Sequence, residues 1–120
     1  MRNFREYDIW KLGMKIAKEV YLVTKHMPNE EKFGMISQIQ RAAIPIPSNI
    51  AEGAARKTEK EFSQYLHISI GSSFELETQI LLAIEIGYLK SSDVQQILSD
   101  LNTIQKQTNH LLNLLKKSQS

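Results

Sequence analysis

The sequence predicts an all-α protein, an antiparallel up-down-up-down four-helix bundle. Three observations carry this. Apolar residues recur at spacings of three and four through four segments of the 120-residue chain, and no alternating strand pattern competes. Five Gly and three Pro are too few turn formers for many short strands. The connections between segments are short, which makes sequential helices antiparallel neighbours. Hydrophobic residues make up 42% of the chain and charged residues 23%, enough for one core. Residues 1–120 read as a single domain with no repeat or linker.

The first segment runs from about Asp8, a candidate N-cap, to His26. Met27-Pro28-Asn29 ends it, because the residue before a proline avoids α geometry. Ile9, Leu12, Ile16, Val20, Val23 and Met27 form its core stripe. Trp10, Met14, Ala17 and Tyr21 form a second stripe beside the first. The second segment runs from about Asn29 or Glu30 to Ala55. Pro45 and Pro47 each remove a backbone donor and crowd the carbonyl four residues back, which predicts a kink or short break near Ala43 to Ser48.

The third segment opens on Thr58-Glu59-Lys60-Glu61, a capping box, and runs to about Ile86, with Gly87 as C-cap. Phe62, Leu66, Ser69, Ser73, Leu76, Ile80 and Ile84 form its stripe. Its small waist, Ser69 to Ser73, is expected to face the prolines of the second segment. The fourth segment opens on Ser92-Asp93-Val94-Gln95. It carries Val94, Ile97, Leu101, Ile104, Thr108, Leu111 and Leu115 in unbroken steps of three and four.

Apolar residues exceed what one bundle needs. Ile80-Leu81-Leu82-Ala83-Ile84 surrounds most of a helix circumference, the first segment has its double stripe, and Leu98, Leu112 and Leu114 widen the fourth. Either the core is broad or the surplus is an interface, and self-association is the expectation.

Several chemistries are excluded by residue type. Without Cys there is no disulfide, thiolate metal site or Cys nucleophile. The residues three before His26, His67 and His110 are Val23, Gln64 and Gln107, so the Glu-x-x-His signature of di-iron bundles is missing. No Gly-x-Ser-x-Gly elbow, Walker loop or Gly-x-Gly-x-x-Gly loop occurs. No enzyme activity, metal or cofactor is expected. The charged start Met1-Arg2-Asn3-Phe4-Arg5 leads into no apolar stretch. The longest aliphatic run, Ile80 to Ile84, is far below the ~20 residues that cross a bilayer. A soluble cytoplasmic protein is expected.

The net charge is a mild +2, but residues 1–28 hold six basic and three acidic side chains. Lys11, Lys15, Lys18 and Lys25 fall on one face of the first segment, opposite its core, with Arg2 and Arg5 ahead of them. Such a row is either a solvated helix face or a track for phosphates that reads no bases. Repetition in an oligomer would favour the second, because multivalency multiplies weak contacts. Arg41, Ser48 or Asn49, Glu52 and Arg56 form a polar stripe on the second segment, level with Glu75 and Glu77 of the third. A charged pair among these would fix helix register; a ligand pocket is the other reading.

The blocks Gln38-Ile39-Gln40-Arg41-Ala42-Ala43, Ile46-Pro47-Ser48-Asn49-Ile50-Ala51-Glu52-Gly53 with Arg56, and Glu75-Leu76-Glu77-Thr78-Gln79 carry a family resemblance. Trp10, Ala17, Tyr21, Pro28 and Phe33-Gly34 fit the same pattern. The chain resembles the bacterial four-helix-bundle family encoded in intervening sequences of 23S ribosomal RNA genes. The resemblance spans Phe4 to about Leu89, and beyond that only helical character matches. Where the family commonly has Ser, this chain has Pro45. The resemblance implies an antiparallel bundle that assembles as a homopentamer. It extends to the accessory variability determinants of diversity-generating retroelements, basic pentamers that bind nucleic acid and a reverse transcriptase. It implies no catalytic residue. Arg41, Pro47, Asn49, Glu52, Gly53 and Arg56 match its motif and are read as structural or interface residues.

Two functions follow as expectations. One is a non-enzymatic oligomer that binds ribosomal or other structured RNA through Arg2, Arg5, Lys11, Lys15, Lys18 and Lys25. The other is a scaffold for a protein partner such as a reverse transcriptase.

Overall fold

All four segments are helical in the computed structural model, which describes residues 2–119. A short 3-10 turn, Phe4–Glu6, precedes α1, Asp8–Val23. The N-cap of α1 is Tyr7, not Asp8. Tyr7 is extended because it closes the preceding turn, and Asp8 becomes the first helical residue, where the helix dipole favours its charge. A 3-10 turn, Thr24–His26, ends this first rod, and Met27 is extended ahead of Pro28 as expected.

The second rod starts later than the sequence suggests. Asn29–Glu31 is a 3-10 turn, and α-helix begins only with α2, Met35–Ala43. Glu31 explains the delay. Its Oε1 accepts from the Met35 amide at 3.2 Å, and its Oε2 accepts from the Tyr88 hydroxyl at 3.0 Å. The loop is thereby pinned to the turn across the bundle. The Glu31 hydrogen bond and charge hold the Tyr88 phenol above its ordinary pKa range.

The two prolines interrupt the second rod at one residue. Helix α3, Pro45–Ala54, follows α2 with only Ile44 between, and Ile44 keeps right-handed helical dihedrals. The ladder's bonds are long on either side: Ile44 N donates to Gln40 O at 3.4 Å and Ser48 N to Ile44 O at 3.3 Å. Pro45 and Pro47 have no N–H to offer the carbonyls of Arg41 and Ala43. The Asn49 side chain donates to Pro45 O at 2.8 Å within this weakened stretch.

Helix α4, Glu59–Glu85, starts at Thr58, whose hydroxyl oxygen accepts from the Glu61 amide at 3.1 Å. It ends in a Schellman motif. Gly87 N bonds to Ile84 O and Tyr88 N to Ala83 O, and Gly87 takes φ +84°, a conformation glycine adopts without penalty. Helix α5, Ser91–Gln119, completes the bundle.

Helix α1 packs on α2, α3 and α5, while α4 packs on α2, α3 and α5. Helices α1 and α4 therefore stand at diagonal corners of a rod 49 Å long and 21 by 19 Å across. Ile16, Val20, Ile39, Ile46, Ile50, Phe62, Leu66, Leu76, Ile80, Leu101 and Ile104 fill the centre. The small waist of α4 meets the expectation only in part. Ser69 Oγ donates to Ile46 O at 2.8 Å, but Gly71 faces open space. Among the described residues, no helix is long and apolar enough to cross a membrane.

Candidate nucleic-acid interface

The helical period of α1 separates its two faces. Ile9, Ile16, Val20 and Val23 point inward, and Lys11, Lys15, Lys18 and Lys25 are exposed. The four lysines do not share one state. Lys15 leans over the seam between α1 and α5, with its Nζ 3.1 Å from Asp100 Oδ2 and 3.8 Å from Glu19. Asp100 is buried to 7% exposure, and its other oxygen accepts from Gln96 Nε2 at 2.9 Å. Hydrogen bonding and charge from Asp100, with the charge of Glu19, hold the Lys15 ammonium above the ordinary lysine range. The lysine's contribution is present at neutral pH and is lost as pH rises through that elevated value. Lys15 is thus engaged by two carboxylates, and Lys11, Lys18 and Lys25 are the members of the row with no ion pair among the described residues.

The Lys15–Asp100 pair bridges α1 and α5 across their seam. The expected charged pair between Arg41 or Arg56 and Glu75 or Glu77 is not formed. Glu77 instead accepts from Gln105 of α5 at 2.9 Å, and Glu75 accepts from Gln79 one turn on. Arg41 and Glu52 are exposed, so the family-motif residues divide by position. Pro47 and Gly53 are buried.

The expected arginines lie ahead of α1, in and beside the turn Phe4–Glu6. Arg2 Nη1 donates to Arg56 O at 2.7 Å and to Ala54 O at 3.4 Å, and its guanidinium lies 4.7 Å from the Phe62 ring centroid. Arg5 stacks on Phe4 at 4.4 Å, and the Phe4 ring meets Trp10 edge-on at 5.1 Å. Lys57 and the rings of Phe62 and Tyr65 lie outside the expected set. Their signal in sequence is the Arg-Lys pair beside a capping box, followed by aromatics three residues apart.

Part of the surplus apolar surface is exposed, while Ile80, Ala83 and Leu112 are buried in the core. Of the second stripe of α1, Met14 and Tyr21 are 47% and 41% exposed while Trp10 and Ala17 pack partly against the core; Leu22, outside that stripe, is 50% exposed. Ile68, Phe74, Leu81 and Leu82 of α4, and Ile86 just past its end, are similarly exposed. His26, His67 and His110 are exposed on three separate rods. Among the described residues, no three His, Asp or Glu side chains are grouped to hold a metal ion.

The model of the 23S rRNA-intervening sequence protein family matches residues 5–110, reaching well into α5. A crystal structure from Bacteroides thetaiotaomicron, described as a protein of unknown function from the S23 ribosomal protein family, superposes with a TM-score of 0.80. The two share 25% sequence identity, and the match covers 87% of this chain and 97% of that one. No curated protein matches the chain.

Proposed function

Because this chain belongs to the 23S rRNA-intervening sequence protein family, we propose that it is a non-enzymatic homo-oligomer of the cytoplasm that binds structured RNA through repeated basic surface. The observation that carries this is the pairing of two surface features on one rod. Apolar side chains stand exposed at diagonal corners, on α1 and α4, and Lys11, Lys18 and Lys25, which form no ion pair among the described residues, lie along the same first rod as the α1 patch. Patches on opposite sides of a subunit favour head-to-tail docking, in which the α4 face of one copy meets the α1 face of the next. Such contacts close into a ring when the rotation allows, and the family resemblance makes five the expected number of copies. Each added copy repeats Lys11, Lys18 and Lys25, and avidity then compensates for the mild charge of one subunit.

A gel-shift titration with ribosomal RNA fragments at two salt concentrations tests the proposal. Binding should weaken steeply with salt, by a slope of roughly 0.7–0.9 per phosphate contacted, and should show little base preference. Replacing Lys11, Lys18 and Lys25 together by Gln should lower affinity by about tenfold or more at low salt. No complex at low salt would overturn the RNA reading. The same exposed apolar faces favour the second reading, a scaffold for a protein such as a reverse transcriptase. A pull-down that survives nuclease and high salt, with no RNA shift, would select it.

A further inference from the structure

We propose that the corner formed by Arg2, Arg56 and Lys57 is a phosphate-binding site, distinct from the lysine row of α1. The proposal rests on the nucleic-acid reading for the source of its ligand, but its geometry stands apart from that reading. The three cations and Ala55 line an open cleft of about 540 Å³ where α3 ends. No carboxylate lines it, and none of the three cations forms an ion pair among the described residues.

Two of the cations are fixed in place before any ligand arrives. Arg2 is held by the carbonyls of Ala54 and Arg56 through Nη1 and by the Phe62 ring below it. Arg56 donates through Nε to Glu52 O at 3.3 Å and lies 5.1 Å from the Tyr65 ring centroid. Capping the carbonyls at the end of α3 accounts for one edge of each guanidinium. It leaves Nε and Nη2 of Arg2, and both terminal nitrogens of Arg56, without acceptors among the described residues. It gives Lys57 no role at all. Planar donors already ordered by ring stacking lose little freedom on binding, and their fork suits a phosphate's oxygens.

The same chemistry serves a backbone phosphate of RNA or a free phosphate ion. The test therefore has two arms, with Arg56→Gln and Lys57→Gln made singly and together, and folding checked by circular dichroism. In the first arm, wild type and the double variant are titrated with a ribosomal RNA fragment over a salt series. The proposal expects a tenfold or greater loss of affinity and a salt slope reduced by about one per lost contact. Arg56→Lys should rescue only part of it, because it restores charge without the fork. In the second arm, inorganic phosphate is titrated against the wild type while the Arg and Lys side-chain resonances are followed. Phosphate binding that the double variant abolishes, with no RNA shift, would keep the site and assign it to a small phosphate ligand while ending the RNA reading. RNA binding equal in wild type and double variant would overturn the site and leave the RNA reading standing. No response in either arm would overturn both.

Discussion

Replacing Phe62 by Ala is expected to destabilise the folded chain by about 3–5 kcal/mol, the usual loss for a large aromatic removed from a core. Phe62 is fully buried and joins three parts of the chain. Its ring meets Tyr7 edge-on at 5.8 Å, and Arg2 lies over it. Gly53 of α3 approaches so closely that an added Cβ would stand 2.9 Å from Phe62 Cδ1 and 2.7 Å from Tyr65 Cβ. That fit leaves nothing nearby to fill the space Ala would open. Domains of this size are held by only ~5–15 kcal/mol, so the loss is a large fraction of the total. Urea unfolding should show a lower midpoint at an unchanged slope. A midpoint equal to wild type would mean that this end of the bundle does not depend on the ring.

Leu82→Glu is expected to do the opposite: to spare the bundle and split the assembly. Leu82 is half exposed on the outer face of α4, and Glu has nearly the helix propensity of Leu, so each subunit should stay folded. Between docked subunits the same carboxylate would be buried without a partner. A loss of ~2 kcal/mol or more per contact, roughly 30-fold in affinity, is the scale for a disrupted interface centre. Sedimentation should show a smaller particle with unchanged circular dichroism. RNA affinity should fall with it although no basic residue has changed, because avidity is lost. An unchanged mass would remove the α4 face as the docking surface.

How far the sequence reveals this molecule depends on the range of the interaction concerned. Helix type and facing are local, and they were legible. The stripes of α4 and α5 are buried nearly as spaced, except that Ile84 and Leu111 are only partly covered. Thr58 and Gly87 act as caps because capping needs only residues a turn away. The start of α2 was not legible, because Glu31 takes its second partner from Tyr88, far along the chain. The Lys15–Asp100 pair is hidden for the same reason: nothing in the spacing of α1 says which part of α5 will lie beside it. Of the candidate site, the exposure of the lysine row follows from helical period alone. That Arg2 meets the Arg56 carbonyl requires the tertiary fold.

The surface chemistry argued above gains its strength from repetition, so subunit number is what matters most. Sedimentation equilibrium of the purified chain in dilute buffer measures it without labels or partners. The expected result is a whole multiple of 13.8 kDa, fivefold if the family resemblance extends to assembly. A single species of 13.8 kDa at every concentration tested would contradict it, leaving the apolar faces of α1 and α4 without a second copy to cover them.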